Sequence, residues 1–483
     1  MRTILIGALL TFHLLAVCQT SVLIPMTDKL KIGEINVFKS GVALTVFDNY
    51  QTAGFNPKRN YILFDSNLKA IDTITVNPSF RDKYSASFYS DSLFAQFFYD
   101  YRYGNFTLYC INSDFSIDSF GGMLSKHIYE PKIWINQHKM FLLNHMPNHE
   151  ELTVYDLKKS TFRTFDVSAK TRRTTFDYVC LTTLQHSNDV LFVWQEKGKK
   201  HHYTYAYRFE TETESMMKHK ITFPYRTIQA GVVETDDGDL LFVGTYSKYF
   251  NQNALGVFAG LVQDGSAIRY SAMPFTKLTN YYNYLNNTER ESLKRKIDKA
   301  ETRETELDIP EKCMVTSVKK NGDRVSLSLE GYEPITSSPT GTIIRNGQTV
   351  AGLPKSTDGY FFSHASIVQF DMFTEFKGDY FVSLESGELI SALSPRLNPF
   401  LCSDTASYLY QFGFDVRTAT ILPGRIKIDI DTSTNTNTNE LYYTSRNAVP
   451  NGCGSIISYG YKSGKGVLPN LRRYFYIEKA KLH

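Results

Sequence analysis

The sequence predicts an all-β protein, a β-propeller of repeated four-stranded units. Three observations lead there. Four short segments rich in β-branched, aromatic and leucine residues, YVCLTTLQ, DVLFVWQE, YTYAYRFE and SMMKHKITF, run from Tyr178 to Phe223 between turn residues. The third of these segments recurs along the chain at near-constant spacing. The 32 Tyr and 34 Phe far outnumber the 2 Trp, a skew that suits pleated surfaces. A unit of this kind buries one face only by stacking on a copy of itself.

The recurrence is easiest to follow in the third strand, which often ends in an aromatic and a polar residue. YILFDSNLKAI begins at Tyr61, TLYCINSDFSI at Thr107, LTVYDLKKSTF at Leu152, YAYRFETETES at Tyr205 and GVFAGLVQDGSAI at Gly256. The steps are 46, 45, 53 and 51 residues, close to the ~40–50 residue period of propeller blades. An apolar second strand precedes each copy: ALTVFDN, SLFAQFFYD, KMFLLNHM, DVLFVWQE and DLLFVGTY. The turn TDDGD at Thr235–Asp239 is a hairpin signal just before the last of these.

After Phe275 the rhythm breaks. Residues 276–311 are polar and charged, and Thr288 with Glu291 forms a capping-box pattern opening a helix to about Thr302. With Ile297 and Ala300 among its few apolar positions, that helix should face water. The insertion reads as a decorated loop, or as a partner-docking arm or a lid, removable at about 1–2 kcal/mol because loop length enters closure entropy only logarithmically. Strands resume with CMVTSVKK and DRVSLSLEGY, and a Gly/Pro/Ser/Thr-rich excursion follows from Glu333 to Thr357. HASIVQFD and DYFVSLES complete a sixth unit, and a seventh starts near Phe400 and runs into GSIISYGY and RRYFYIEKAKL. The expected count is seven blades, with six or eight as the alternatives. The two chain ends should meet to remove the open sheet edges, with Lys31–Phe38 as the nearest partner for the tail.

The N-terminus reads as an export signal. Arg2 supplies positive charge, Ile4–Val17 an apolar stretch too short to span a bilayer, and Ala16 and Cys18 the small residues of a cleavage site. The domain boundaries are therefore a signal peptide at 1–18 and a propeller at 19–483 carrying the insertion at about 276–311. A lipid anchor on Cys18 is the alternative reading. No later run reaches ~18 apolar residues, so no transmembrane segment is expected. A formal charge of +4 over 483 residues gives no electrostatic case for a nucleic-acid partner. Cys110, Cys180, Cys313, Cys402 and Cys453 are widely spaced and read as buried small hydrophobes, with Cys402–Cys453 as the one plausible disulfide.

Motifs that carry chemistry are scarce. HExxH, GxSxG, the P-loop and GxGxxG are absent, and GKG at Gly464–Gly466 lacks the spacing to cradle phosphate. His145, His149, His201 and His202 fall in turns, where histidine is usually solvated. Asp429, Asp431, Ser433, Asn435, Asn437 and Glu440 match the ligand offsets of a calcium loop. Thr434 stands where that loop wants Gly, and a low-complexity hairpin tip gives the same pattern. No other cofactor is implied. Glu234, Asp236, Asp237 and Asp239 share one turn and read as solvated hairpin charges.

The order of GVFAGL, a Tyr-rich charged helix, VTSVKKNGDRVSLSLEGYEP, GYFFSHASIVQFD and NLRRYFYIEKAKL resembles a group of uncharacterised propeller-like proteins exported by Gram-negative bacteria. That resemblance implies a periplasmic or cell-envelope location and carries no catalytic pattern. The function expected is a non-catalytic binding or scaffold protein of the cell envelope, meeting a protein or glycan on one propeller face. The alternative is a propeller hydrolase or lyase acting on glycans or peptides, which would place paired acids in a concave pocket. An outer-membrane barrel fits less well, because the strands come in fours.

Overall fold

The computed structural model describes residues 21–481 except 27–29, 49–58, 79–82, 101, 125–127, 129–130, 146–148, 170–174, 198–201, 249–252, 337–342, 346–347, 351–356, 385–395, 403–404, 413–414, 423–424, 432–440, 452–454 and 465–472. The expected signal peptide, Cys18 and Cys453 lie outside the described residues, as does the side chain of Cys402. The disulfide expected between Cys402 and Cys453 therefore falls outside them too.

Among the described residues eight four-stranded antiparallel sheets make up the fold, a β-propeller. Sheets 1 to 7 occupy residues 30–76, 83–123, 132–169, 175–221, 226–274, 313–383 and 398–431, and their strands neighbour one another in chain order. The closing sheet takes three strands from residues 441–481 and its fourth, Ser21–Met26, from the N-terminal end. Eight rather than seven blades follow because the expected seventh unit is two sheets, 398–431 and the closing one. The strand beside the tail is Ser21–Met26, not Lys31–Phe38, which opens sheet 1.

Two compact units divide the chain. Residues 1–126 with 432–483 hold sheets 1, 2 and the closing sheet, and residues 127–431 hold sheets 3 to 7. In each unit neighbouring sheets stack through their second and third strands. Phe141 and Leu143 of sheet 3 meet Phe192 and Trp194 of sheet 4. The same packing recurs onward: Val193 of sheet 4 shares a core with Phe242 and Phe258 of sheet 5, and Leu241 of sheet 5 shares one with Leu327 of sheet 6. In the other unit Val42 and Leu44 of sheet 1 share a core with Phe475 and Ile477 of the closing sheet. Burying such side chains contributes about 1.5–3 kcal/mol each.

The polar residue ending many third strands has a physical role. Asp65 accepts hydrogen bonds from the backbone N–H groups of Asn67 and Lys69 (2.9 and 2.8 Å). Asp156 does the same for Lys158 and Lys159, and Asp371 for Phe373 and Glu375. These Asx turns reverse the chain into the fourth strand. One left-handed residue completes each reversal: Leu68, Phe115, Ser160, Glu214 or Thr374, with φ from 54° to 75°.

First strands carry a different signature. Six contain a one-step register shift against the second strand: between Ile32 and Ile35, Tyr84 and Ala86, Tyr178 and Cys180, Thr227 and Gln229, Val315 and Ser317, and Tyr443 and Ser445. A bulge there bends the strand and re-aims its side chains. At one of them Gln229 reaches the next sheet and accepts the Val315 N–H at 2.6 Å.

The insertion differs from its expectation at the root. The helix is Asn287–Thr302 and has no buried residue, as a water-facing helix should. Its capping box is Asn286 with Glu289, not Thr288 with Glu291. Asn caps at least as well as Thr, and starting there puts Glu289 in the first turn, at the positive end of the helix. The flanks are not a loose loop. Phe275, Leu278, Tyr281 and Tyr282 are buried in the core shared by sheets 5 and 6. Asp379 accepts the Thr279 and Asn280 N–H groups (3.0 and 2.6 Å). Lys248 pairs with Glu306 and Asp308, and Ala254 and Glu311 exchange backbone hydrogen bonds of 2.9 and 2.8 Å. The excursion after Glu333 is also more regular than its composition suggests. Strands Arg324–Thr336 and Thr357–Asp371 pair along their length, and a small hairpin, Ile343–Arg345 with Gln348–Val350, lies between them.

Candidate functional site

A cleft of about 280 Å3 opens between sheets 4 and 5. Two hairpin tips of sheet 5 form one wall. The first is Thr235–Asp239, closed by the Thr235 N–H on the Asp239 carbonyl (2.9 Å) and by the Asp239 N–H on Thr235 Oγ1 (3.0 Å). The second is the two-residue turn Asp264-Gly265, with φ of 47° and 78°. An Asp-Gly pair suits this tight hairpin because both residues take positive φ. Gly265 is doubly required, since a Cβ there would lie 2.5 Å from His219 Nδ1.

Strands His202–Glu210 and Ser215–Ile221 of sheet 4 supply the opposite wall, with Ala206, Arg208, Met217, His219 and Ile221. Met217, His219 and Ile221 alternate along one strand and so share a face. Arg208 is already engaged: its Nε donates to Asp189 at 2.7 Å, and its guanidinium stands 3.9 Å from Glu234. Glu234 is buried and accepts the His186 N–H at 2.8 Å. Asp236 points elsewhere, to Lys320 and His186, and its hydrogen bond from Lys320 holds its carboxyl below the usual range. Thus the acids expected as a solvated group separate. Glu234 is structural, Asp236 is ion-paired, and Asp237 and Asp239 join Asp264 in lining the cleft.

A second concentration of titratable groups lies at one end of sheet 6. His364 is buried opposite Gly331 in register, stacked on Tyr284 at 4.1 Å and edge-on to Tyr281 at 4.8 Å. Burial drives its pKa down to about 3, so the ring is neutral, with Nδ1 2.8 Å from Ser363 Oγ. Glu311 sits where the insertion re-enters the sheet. Burial pushes its carboxyl up to about 7; Tyr282 pulls it down, the like charge of Glu333 pushes it up, and Tyr284 pulls it down. Glu330, on the opposite face, is fully buried and also raised to about 7 by burial, against the pull of the Leu397 and Arg396 N–H groups.

The calcium-loop residues are only partly described. Asp429 lies in strand Arg425–Asp431 with its carboxylate 2.9 Å from Lys427 Nζ, and Asp431 ends that strand. Ser433, Asn435, Asn437 and Glu440 fall outside the described residues. Among the described residues no group of three or more His, Cys, Asp or Glu side chains is placed to hold a metal ion. Of the four turn histidines, His145, His149 and His202 have described backbone only, in strands, and His201 lies outside. Cys110 and Cys313 are buried and Cys180 half-buried, all free thiols raised by burial. The cleft itself escapes a sequence reading, although its tips do not. TDDGD and Asp264-Gly265 are the first and third turns of one sheet, and turns of that parity lie at the same end.

No family model matches the sequence, and no curated protein matches it. Similar solved structures include the β-propeller domain of the Trilobed protease from Pyrococcus furiosus, with a TM-score of 0.37 and 10% identity over 85% of this chain and 99% of that one. Prolyl oligopeptidase B from Galerina marginata gives 0.38 and 8% over 89% and 55%, so this chain spans about half its length. An uncharacterised protein from Listeria monocytogenes gives 0.36 and 8% over 72% and 82%. The fold assignment rests on the eight sheets themselves. No helix is long and apolar enough to cross a membrane among the described residues.

Proposed function

We propose that this propeller is a non-catalytic binding protein of the cell envelope, and that the cleft between sheets 4 and 5 receives a cationic group of its partner. The observation that supports the reading is the lining: Asp237, Asp239 and Asp264 face the cleft, while Arg208 beside them is already held by Asp189 and Glu234. A lysine or arginine side chain of a protein partner suits that charge better than a neutral glycan does. Export rests on the N-terminal apolar stretch and on the resemblance to exported propellers, and fractionation of cells expressing the chain with and without residues 1–18 tests it.

Binding is tested by titrating the protein with a lysine-rich peptide, a glutamate-rich peptide and a neutral one at low salt. The lysine-rich peptide is expected to bind, and the Asp239→Asn/Asp264→Asn variant to lose about tenfold in affinity. Equal binding of all three peptides, or no change in the variant, would overturn the assignment. The hydrolase or lyase alternative draws on Glu311. A carboxyl held near neutrality beside a second acid, here Glu333, is what a general acid needs. Turnover of a chromogenic glycan or peptide series that vanishes in Glu311→Gln would favour it.

A further inference from the structure

The helix of the insertion, Asn287–Thr302, buries no residue yet is fixed at both ends. At its start Asn286 and Glu289 form the capping box, and the Arg290 guanidinium donates to the Asn283 and Leu285 carbonyls at 3.0 Å each. Beyond its end the Arg303 and Thr305 N–H groups both donate to the Ala300 carbonyl at 3.0 Å, and Lys248 pairs with Glu306 and Asp308. A helix held this way is preorganised, so a partner that binds it has little ordering entropy to overcome. Its charges are sorted by side. Leu293 packs on the core of sheets 5 and 6, and Ile297 and Ala300 are half-buried on the same side. Lys296, Lys299 and the C-cap Arg303 follow one another at steps of three and four residues, which puts them on one exposed side. Ser292 and Arg295 stand beside them, and no acid falls among them. The helix acids lie elsewhere: Glu289 serves the capping box, Glu291 faces Arg295 at 3.8 Å, and Asp298 and Glu301 share the other flank with Lys294. Lys296, Lys299 and Arg303 have no ion-pair partner among the described residues. Lys299 and Arg303 also complement the negative end of the helix, but Lys296 stands more than a turn from it.

We propose that this side of the helix is a docking surface for an acidic segment of a partner protein, held by Lys296, Lys299 and Arg303. The three cations span about 10 Å of the helix axis, a length that a segment with several Asp or Glu residues matches charge for charge. A bilayer is the poorer occupant. The apolar positions of the helix are turned to its own propeller, so the basic side offers nothing apolar to enter lipid. Exposed ion pairs are individually weak and screened by salt, so the interaction should be of low affinity and should fade as ionic strength rises.

Titration of the full chain with a glutamate-rich peptide, a neutral peptide and phosphatidylserine vesicles, at low and at physiological salt, tests the surface. The glutamate-rich peptide is expected to bind, and to bind more weakly as salt rises. Lys296→Gln/Lys299→Gln/Arg303→Gln should lose about tenfold in affinity for it. Lys296→Gln alone, which leaves the helix end as it is, should lose about threefold, and Lys296→Arg/Lys299→Arg should keep the wild-type affinity. Three results would each overturn the proposal: no preference for the acidic peptide over the neutral one, unchanged affinity in the triple and single Gln variants, or vesicle binding that depends on the same three residues and exceeds that of the peptide. Asp239→Asn/Asp264→Asn is expected not to weaken the acidic peptide, so failure here and failure of the cleft reading are separate outcomes.

Discussion

Ile24 stands directly across from Phe475 in antiparallel register, so the first and last described strands of the chain are hydrogen-bonded neighbours. Phe475 and Ile477 then pack with Val42 and Leu44 of sheet 1. One sheet thus ties the two ends together and supplies the wall against which sheet 1 stacks.

Closure should be expensive to lose. Phe475→Ala is expected to cost about 3–5 kcal/mol, as for other large buried apolar truncations. Removing residues 473–481 should abolish the cooperative urea transition of the closing sheet and sheet 1, because the remaining strand edges have no partner. Retention of the wild-type transition by the truncated chain would exclude this role.

Gly331 and His364 are matched by shape. A Cβ on Gly331 would sit 2.3 Å from His364 Cε1. Gly331→Ala should destabilise by about 1–3 kcal/mol through overpacking. His364→Ala added to it should recover part of that loss, giving a non-additive double-mutant cycle in chemical denaturation. Strict additivity would show that the two positions do not compete for space.

The insertion should divide energetically. Replacing the helix, residues 288–302, by a short linker is expected to change stability by less than about 1 kcal/mol, since none of it is buried. Phe275→Ala should cost about 3–5 kcal/mol, because that ring is buried and stacked on Tyr281 at 4.2 Å. Thermal melts of the two variants would separate the water-facing part from the core part.

Global stability should fall as pH rises through neutrality. Glu330 ionises near 4.5 when unfolded but near 7 when folded, so the folded state holds the extra proton between those values. The stabilisation is complete below the unfolded value and is lost as pH rises through the folded one. Between pH 4.5 and 8 the loss attributable to Glu330 should be about 1–3 kcal/mol. Urea midpoints measured across that range should be flatter in Glu330→Gln than in the wild type.

The repeat was legible because its punctuation is chemical. Asp65, Asp156 and Asp371 end third strands as backbone acceptors, and the first two fall inside the recurring segments that begin at Tyr61 and Leu152. The choice of eight blades among six, seven and eight is hidden where that punctuation fails. The closing sheet draws its fourth strand from residues 21–26, which no local period can reveal. The root of the insertion is hidden for a related reason. Tyr281 and Tyr282 look like part of a polar loop, and only the sheets they meet make them core. Burial of Glu311 and Glu330 is likewise a property of neighbours distant in sequence.

The register shifts of the first strands carry a consequence for how this chain can change length. Tyr178 faces Trp194 and Cys180 faces Val193, so Val179 has no residue opposite it in the ladder. Thr316 stands in the same position between Val315 and Ser317. Deleting either residue would restore an unbroken ladder while leaving both flanking halves paired as before. Elsewhere in a strand such as Thr405–Phe412, losing one residue exchanges inward and outward side chains along everything beyond it. The bulges are therefore places where single-residue deletions are register-neutral, and a family of such propellers could drift in length there without exchanging the two faces of a strand.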